Sequence, residues 1–203
     1  MKRSELEHLI RAAGAITQEE SLVIIGSQSI LGAYPDAPAI FLESREADMF
    51  PKNNPAKGEI LDAIGEESAF DKNFGYYIQW VDESTATLPK GWKGRLVKVK
   101  NENTGGATGY CLDPLDLIAS KLAAGRPKDH IFAEAFVEYG LGTTEEIAER
   151  IKLLPEGGSL IRQPEGKILV WLEGLSKRLE KSPQRLARDT DSHSAKPKTR
   201  APK

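Results

Sequence analysis

The β-branched and alternating segments of this chain all lie before Asp113-Pro114, and nearly everything after that dipeptide is punctuated as amphipathic helix. Segregation of this kind predicts an α+β protein with a mixed sheet first and a helical part behind it. Ser4 with Glu7 forms a capping-box pattern, and Leu6, Leu9, Ile10 and Ala13 follow at helical spacing until Gly14. Ser21-Leu22-Val23-Ile24-Ile25 reads as a buried strand closed by Gly26-Ser27. A second strand is expected over 40–50, with Ile40, Leu42, Ser44, Glu46, Asp48 and Phe50 on one face, until Pro51 breaks it. Ile60, Leu61 and Ile64 fit a helix ending at Gly65. Shorter strands follow around 76–82, 95–100 and 110–112. Asp113-Pro114 then starts a helix with Pro at its first position. Further helices are expected through Phe136, from Thr143 and Glu146 to Pro155, and from Gly166 to Leu179.

These elements divide the 203 residues into an α/β core (1–112), a helical part packed on it (113–180) and a basic tail (181–203). Hydrophobic residues at 39% and charged residues at 29% suit a water-soluble chain with a real core. No apolar run approaches the roughly 18 residues that a bilayer crossing needs. Met1 to Ile10 alternates charged and apolar residues and does not read as a secretory signal, which makes the cytoplasm the expected compartment. The single cysteine, Cys111, excludes an internal disulfide and a cysteine-based zinc site. From Lys181 onward, seven basic residues stand against two acidic ones, a surplus of five that leaves the body at −7 for an overall charge of −2. An acidic body of that size argues against a broad duplex DNA-binding face, because phosphate neutralisation carries most of such affinity.

Three groups of residues can do chemistry. Gly26-Ser27 offers backbone N–H groups and a hydroxyl at the start of a helix, where phosphate oxygens are favoured, although Gly-Ser is also an ordinary turn. Glu46 and Asp48, at i and i+2 of a strand, point the same way, with Cα atoms roughly 6.5 to 7 Å apart. Neither flanking residue, Glu43 or Arg45, shares that face, so the two anions are either solvated or held together by a divalent ion such as Mg²⁺. Lys121, Arg126 and Lys128 gather positive charge at a Gly-Pro bend. Asp129 beside them reads as the N-cap of the next helix, with the cations solvated or turned toward a cleft. Asp82 is a candidate third carboxylate or a strand-end residue leading into Ser84-Thr85. Glu66, Ser68, Tyr76 and Tyr77 are pocket candidates that aromatic pairing explains equally well. His8, His130 and His193 lack metal-ligand spacing.

The segments SLVIIGSQSIL, SREADMFP, AIGEES, FGYYIQWV, TATLPKGW and CLDPLDLIASKLAAGRPKD, which together span 21 to about 140, resemble the minimal nucleotidyltransferase fold of the polymerase-beta superfamily. They look closest to the nucleotidyltransferase-like bacterial proteins related to abortive-infection type E toxins. The resemblance implies that Gly26 and Ser27 hold a triphosphate, that Glu46 and Asp48 bind Mg²⁺, and that Asp48, Lys121 and Asp129 serve catalysis; by their charge, Lys121 and Arg126 are expected to offset the triphosphate. Glu46 stands where an aspartate is usual. The implied activity moves a nucleoside monophosphate from an NTP to an acceptor hydroxyl on RNA, tRNA included, or on a protein. The alternative is an inactive nucleotide-binding or partner-binding module of a toxin–antitoxin pair.

Overall fold

In the computed structural model, residues 1–157 and 160–181 are described, so the basic tail expected over 181–203 lies, beyond Lys181, outside the described residues. Five strands form one mixed sheet: β1 (Ser21–Ile25), β2 (Glu46–Pro51), β3 (Tyr77–Trp80), β4 (Val97–Val99) and β5 (Thr108–Cys111). Their order is β3-β2-β1-β5-β4. β1 lies antiparallel to β2 and parallel to β5, β2 runs parallel to β3, and β4 lies antiparallel to β5. The β-branched run at 22–25 therefore becomes the middle strand, buried along its length, as a continuous apolar run should.

Helices cover both faces. α1 (Arg3–Thr17) buries Leu6, Leu9, Ile10 and Ala13. It lies so close to the sheet that a Cβ at Gly109 of β5 would fall 2.5 Å from Ile10 Cδ1 and 3.0 Å from Ile24 Cδ1. Ile24 thus faces α1, and by strand alternation Ile25 faces the other side. There Ile25 lines a cleft together with Leu117 of α3 (Pro114–Ala124). Behind α3 come α4 (Pro127–Glu138), α5 (Thr144–Ile151) and α6 (Glu165–Glu180); the short α2 (Ala69–Phe74) precedes β3. Buried side chains of the sheet and of α1, α3, α4, α5 and α6 belong to one apolar core.

The expected caps hold at two helices. Asp113 accepts hydrogen bonds from Leu115 N and Asp116 N with Pro114 at the first position, and Thr143 with Glu146 closes a reciprocal capping box. Four expectations need correction. α1 is capped at Lys2, whose N–H donates to Glu5 at 2.6 Å, and it runs through Gly14 to Thr17. Gly14 is there for space, since a Cβ would lie 2.8 Å from that of Ala107. Glu7, taken for a cap residue, is buried and accepts from Arg3, Asn101 and Asn103, tying α1 to the loop before β5. The second strand begins only at Glu46, because 39–41 form a 3-10 turn after Pro38, and it runs on to Pro51. Residues 55–64 form a 3-10 helix that starts with Pro55. Ile131, placed on an apolar helical stripe by its spacing, is 59% exposed.

A buried ionic junction absent from the sequence reading fixes α3. Asp116, fully buried, accepts two hydrogen bonds from Arg95 at 2.9 Å each and a further one from Arg150 of α5. Both partners come from elements remote in sequence. A buried carboxylate needs such saturation to remain charged.

Candidate functional site

The β1–β2 register places Asp48 directly opposite Ile25, one residue before the chain leaves the sheet at Gly26. Gly26 has φ of +70°, and a Cβ there would lie 1.7 Å from Asp48 Oδ2. The glycine is therefore needed twice, for its left-handed backbone and for the close approach of a carboxylate. Ser27 opens a 3-10 turn (Ser27–Gly32), which Ser29 braces by donating its hydroxyl to Gly26 O at 2.8 Å. Glu46, two residues before Asp48 in β2, also faces the cleft, as the strand period requires.

Opposite this end of the sheet stands the α3–α4 junction. Gly125 ends α3 in the left-handed conformation with its N–H on Lys121 O, and a Cβ at that position would lie 2.6 Å from Gln163 Cγ. This tight reversal sets Lys121, in the last turn of α3, beside Asp129, in the first turn of α4. Lys121 Nζ donates to Ser27 Oγ at 2.8 Å, lies 3.5 Å from Asp129 Oδ1 and sits 4.4 Å from the centre of the Phe132 ring. Asp129 is not the helix cap. It occupies the third helical position, and its buried carboxylate accepts from Arg126 Nε at 2.7 Å, Arg126 Nη2 at 3.2 Å and Arg126 N at 3.1 Å.

A cleft of about 320 Å³ runs between these walls. Of the sequence candidates it brings together Gly26, Ser27, Glu46, Asp48, Lys121, Arg126 and Lys128. Asp129 stands behind them, engaged with Lys121 and Arg126. Asp82 is not among the lining residues, although Val81 and Thr85 on either side of it are; it is the exposed cap of the 3-10 turn at 83–85 and accepts from Ser84 N. Tyr76 is hydrogen-bonded to His8 at 2.8 Å within an aromatic cluster with Phe70 and Phe74. Ser68 caps α2. Tyr77, paired with Glu46 across β2–β3, points its hydroxyl at Glu46 Oε2 at 3.4 Å. Among the described residues no group of three or more His, Cys, Asp or Glu converges.

Arg162 was not anticipated. It lines the same cleft, together with Thr85, Thr87 and Ser120. Backbone N–H groups of Arg162 and Gln163 both reach Ala123 O, folding this segment over the end of α3. Nothing local in the sequence marks the arginine, which comes 36 residues after Arg126.

Electrostatics separate the two walls. Burial, and then the neighbouring Glu46 charge, push the Asp48 carboxyl up to about 6, despite Lys121, Arg126 and Lys128 across the cleft. Neither Glu46 nor Asp48 enters an ion pair among the described residues. Asp129 moves the other way. Burial opposes its ionisation, but the hydrogen bonds from Arg126 and the charges of Lys121 and Arg126 hold it below the usual carboxylate range. Burial also lowers the Lys121 ammonium, with Asp129 resisting. Tyr77 is pushed up to about 12 by burial and by Glu46 and Glu66.

The donor set fits a hard divalent cation. Glu46 and Asp48 share the cleft with no ion-pair partner among the described residues, and Mg²⁺ ordinarily takes one or two carboxylates and completes its shell with substrate phosphates and water. A mixed sheet whose middle strand ends in Gly-Ser beside paired carboxylates, with a cationic helix junction opposite, is the arrangement of a nucleotidyltransferase-like protein. Residues 4–138 match the model of the family described as nucleotidyltransferase of unknown function (DUF6036), and the chain belongs to that family. No curated protein and no solved structure matches it. No helix among the described residues is long and apolar enough to cross a membrane.

Proposed function

We propose that this chain is a Mg²⁺-dependent nucleotidyltransferase that moves a nucleoside monophosphate from an NTP to an acceptor hydroxyl. One observation carries the reading: a carboxylate pair with no ion-pair partner among the described residues, Glu46 and Asp48, shares a cleft with Lys121, Arg126, Lys128 and Arg162. Carboxylates alone repel a triphosphate, and cations alone would bind it without activating it. Glu46 and Asp48 would hold the metal, which supplies a bridge to phosphate oxygens and offsets charge at the attacked phosphorus. Gly26 and Ser27 would present a hydroxyl and backbone N–H groups to the phosphates. Lys121, steadied by Asp129 and Ser27, aims its charge into the cleft, while Arg126 and Arg162 bind the leaving pyrophosphate. Asp129 acts through Lys121 and Arg126. The resemblance to abortive-infection toxins supports RNA, tRNA included, or a protein as acceptor.

The full chain incubated with Mg²⁺ and α-labelled NTPs, with and without total RNA or protein, is expected to transfer label. Asp48→Ala should cut transfer roughly a hundredfold or more while the protein stays folded. Transfer undiminished in that variant would overturn the reading. The two-carboxylate set favours one rival, a nucleotide-binding module without turnover, for which tight NTP binding with no transfer to any acceptor would decide.

A further inference from the structure

A second cleft, also of about 320 Å³, adjoins the first and shares Ser27, Glu46, Lys121 and Lys128 with it. Its character differs. Arg126 and Arg162 belong only to the first cleft, whereas the second has a floor of Phe41 and Phe132, a rim of Ile40 and Ile131, and the exposed Glu43. The two phenyl rings meet edge to face at 4.8 Å, and Tyr139, 43% exposed, meets Phe41 at 6.1 Å, so apolar surface continues out of the cleft. Ile131 stands 59% exposed at the rim. It lines this second cleft and not the first.

We propose that this second cleft is the acceptor site, and that it takes a polypeptide segment presenting a serine, threonine or tyrosine hydroxyl beside an apolar side chain, with basic residues flanking it. The inference rests on the nucleotidyltransferase reading and names the acceptor class for it. The four shared residues are where the two substrates meet. Cations on the first cleft suit a pyrophosphate leaving group, and the apolar shelf with Glu43 suits a neutral or cationic partner. Lys121 and Lys128 line the cleft only where it joins the first, so a polynucleotide would gain two cations against Glu43 and Glu46, on a body that carries −7 up to Glu180. The apolar surface running on to Tyr139 exceeds what a small alcohol would cover. In the reaction the acceptor oxygen forms a bond to the α-phosphorus, the bond from the α-phosphorus to the bridging oxygen breaks, pyrophosphate leaves, and the hydroxyl proton passes to water.

Fluorescein-labelled peptides bearing Ser, Thr or Tyr next to Leu, in lysine-flanked and glutamate-flanked versions, can be compared with an RNA oligonucleotide carrying a free 3′-hydroxyl. Binding is read by anisotropy without nucleotide and transfer by α-labelled NTP with Mg²⁺, both on the full chain. Lysine-flanked peptides are expected to bind about fivefold or more tightly than glutamate-flanked ones and to take the label. Ile131→Asp, at an exposed position, should weaken peptide binding about tenfold and leave NTP binding unchanged; Glu43→Lys should abolish the preference for basic flanks. Preferential binding and labelling of the RNA overturns the proposal while keeping the transferase reading, as does peptide binding indifferent to both variants. Peptide binding that follows the predicted pattern without label transfer to any acceptor supports the polypeptide site and removes the transferase reading instead.

Discussion

Two aspartates, the partly buried Asp48 on the sheet wall and the fully buried Asp129 on the helical wall, stand in opposite surroundings. Asp129 is saturated by Arg126 and approached by Lys121, and its proton affinity falls. Asp48 has Gly26 pressed against it and Glu46 beside it, with no ion-pair partner among the described residues, and its proton affinity rises. A saturated carboxylate holds the fold and aims its partners; an unsatisfied one stores unfavourable charge that an incoming cation relieves. The contrast separates scaffold from site within a single cleft.

The largest test breaks the saturated side. Asp129→Ala leaves Arg126 and Lys121 without their shared anion, and loss of one member of a buried ionic cluster costs about 3–5 kcal/mol. Thermal melts should show a drop of about 10 °C. A drop below about 2 °C would erase the distinction between the walls.

Next, Asp48→Asn should stabilise the protein at neutral pH. A folded-state value of about 6 against an unfolded value near the model 3.8 means that stability is fully present below pH 4 and is lost as pH rises through 6. The asparagine variant escapes that loss, so it should exceed the native chain by up to about 3 kcal/mol at pH 7.5 and match it near pH 4. Urea titrations at the two pH values measure the difference. An equal or opposite shift at pH 7.5 would show that Asp48 already has a counter-charge.

A smaller effect sharpens the same point. Gly26→Ala should cost about 2 kcal/mol through its left-handed backbone and the collision with Asp48. In an Asp48→Gly background only the backbone part, about 1 kcal/mol, should remain. Identical costs in both backgrounds would mean that the glycine serves the turn alone.

Much of the site was legible because its parts are short and local. The run Ser21–Ile25 closing on Gly-Ser, the i and i+2 carboxylates on one strand face, and the cations around Gly125-Pro127 all announced themselves by spacing. Ile40 to Arg45 misled, because the alternation there is real in sequence but Pro38 starts a 3-10 turn. Asp129 misled in another way. Its type suits a cap, yet Arg126 takes that position and folds its guanidinium back onto the carboxylate. Asp82 suits a third ligand by type, but its side chain caps the 3-10 turn that follows.

Strand and helix content, the Gly-Ser turn, the caps at Asp113 and Thr143 and the shared face of Glu46 and Asp48 followed from the amino-acid order, because each depends on residues within one or two turns of backbone. The facing of that pair by Lys121 and Arg162, more than 70 residues away, the anchoring of α3 through Asp116, and the opposite proton affinities of Asp48 and Asp129 arose only on folding. Charge interactions and desolvation depend on distance through space, and no local pattern encodes which remote groups the sheet register and a single left-handed glycine will bring together.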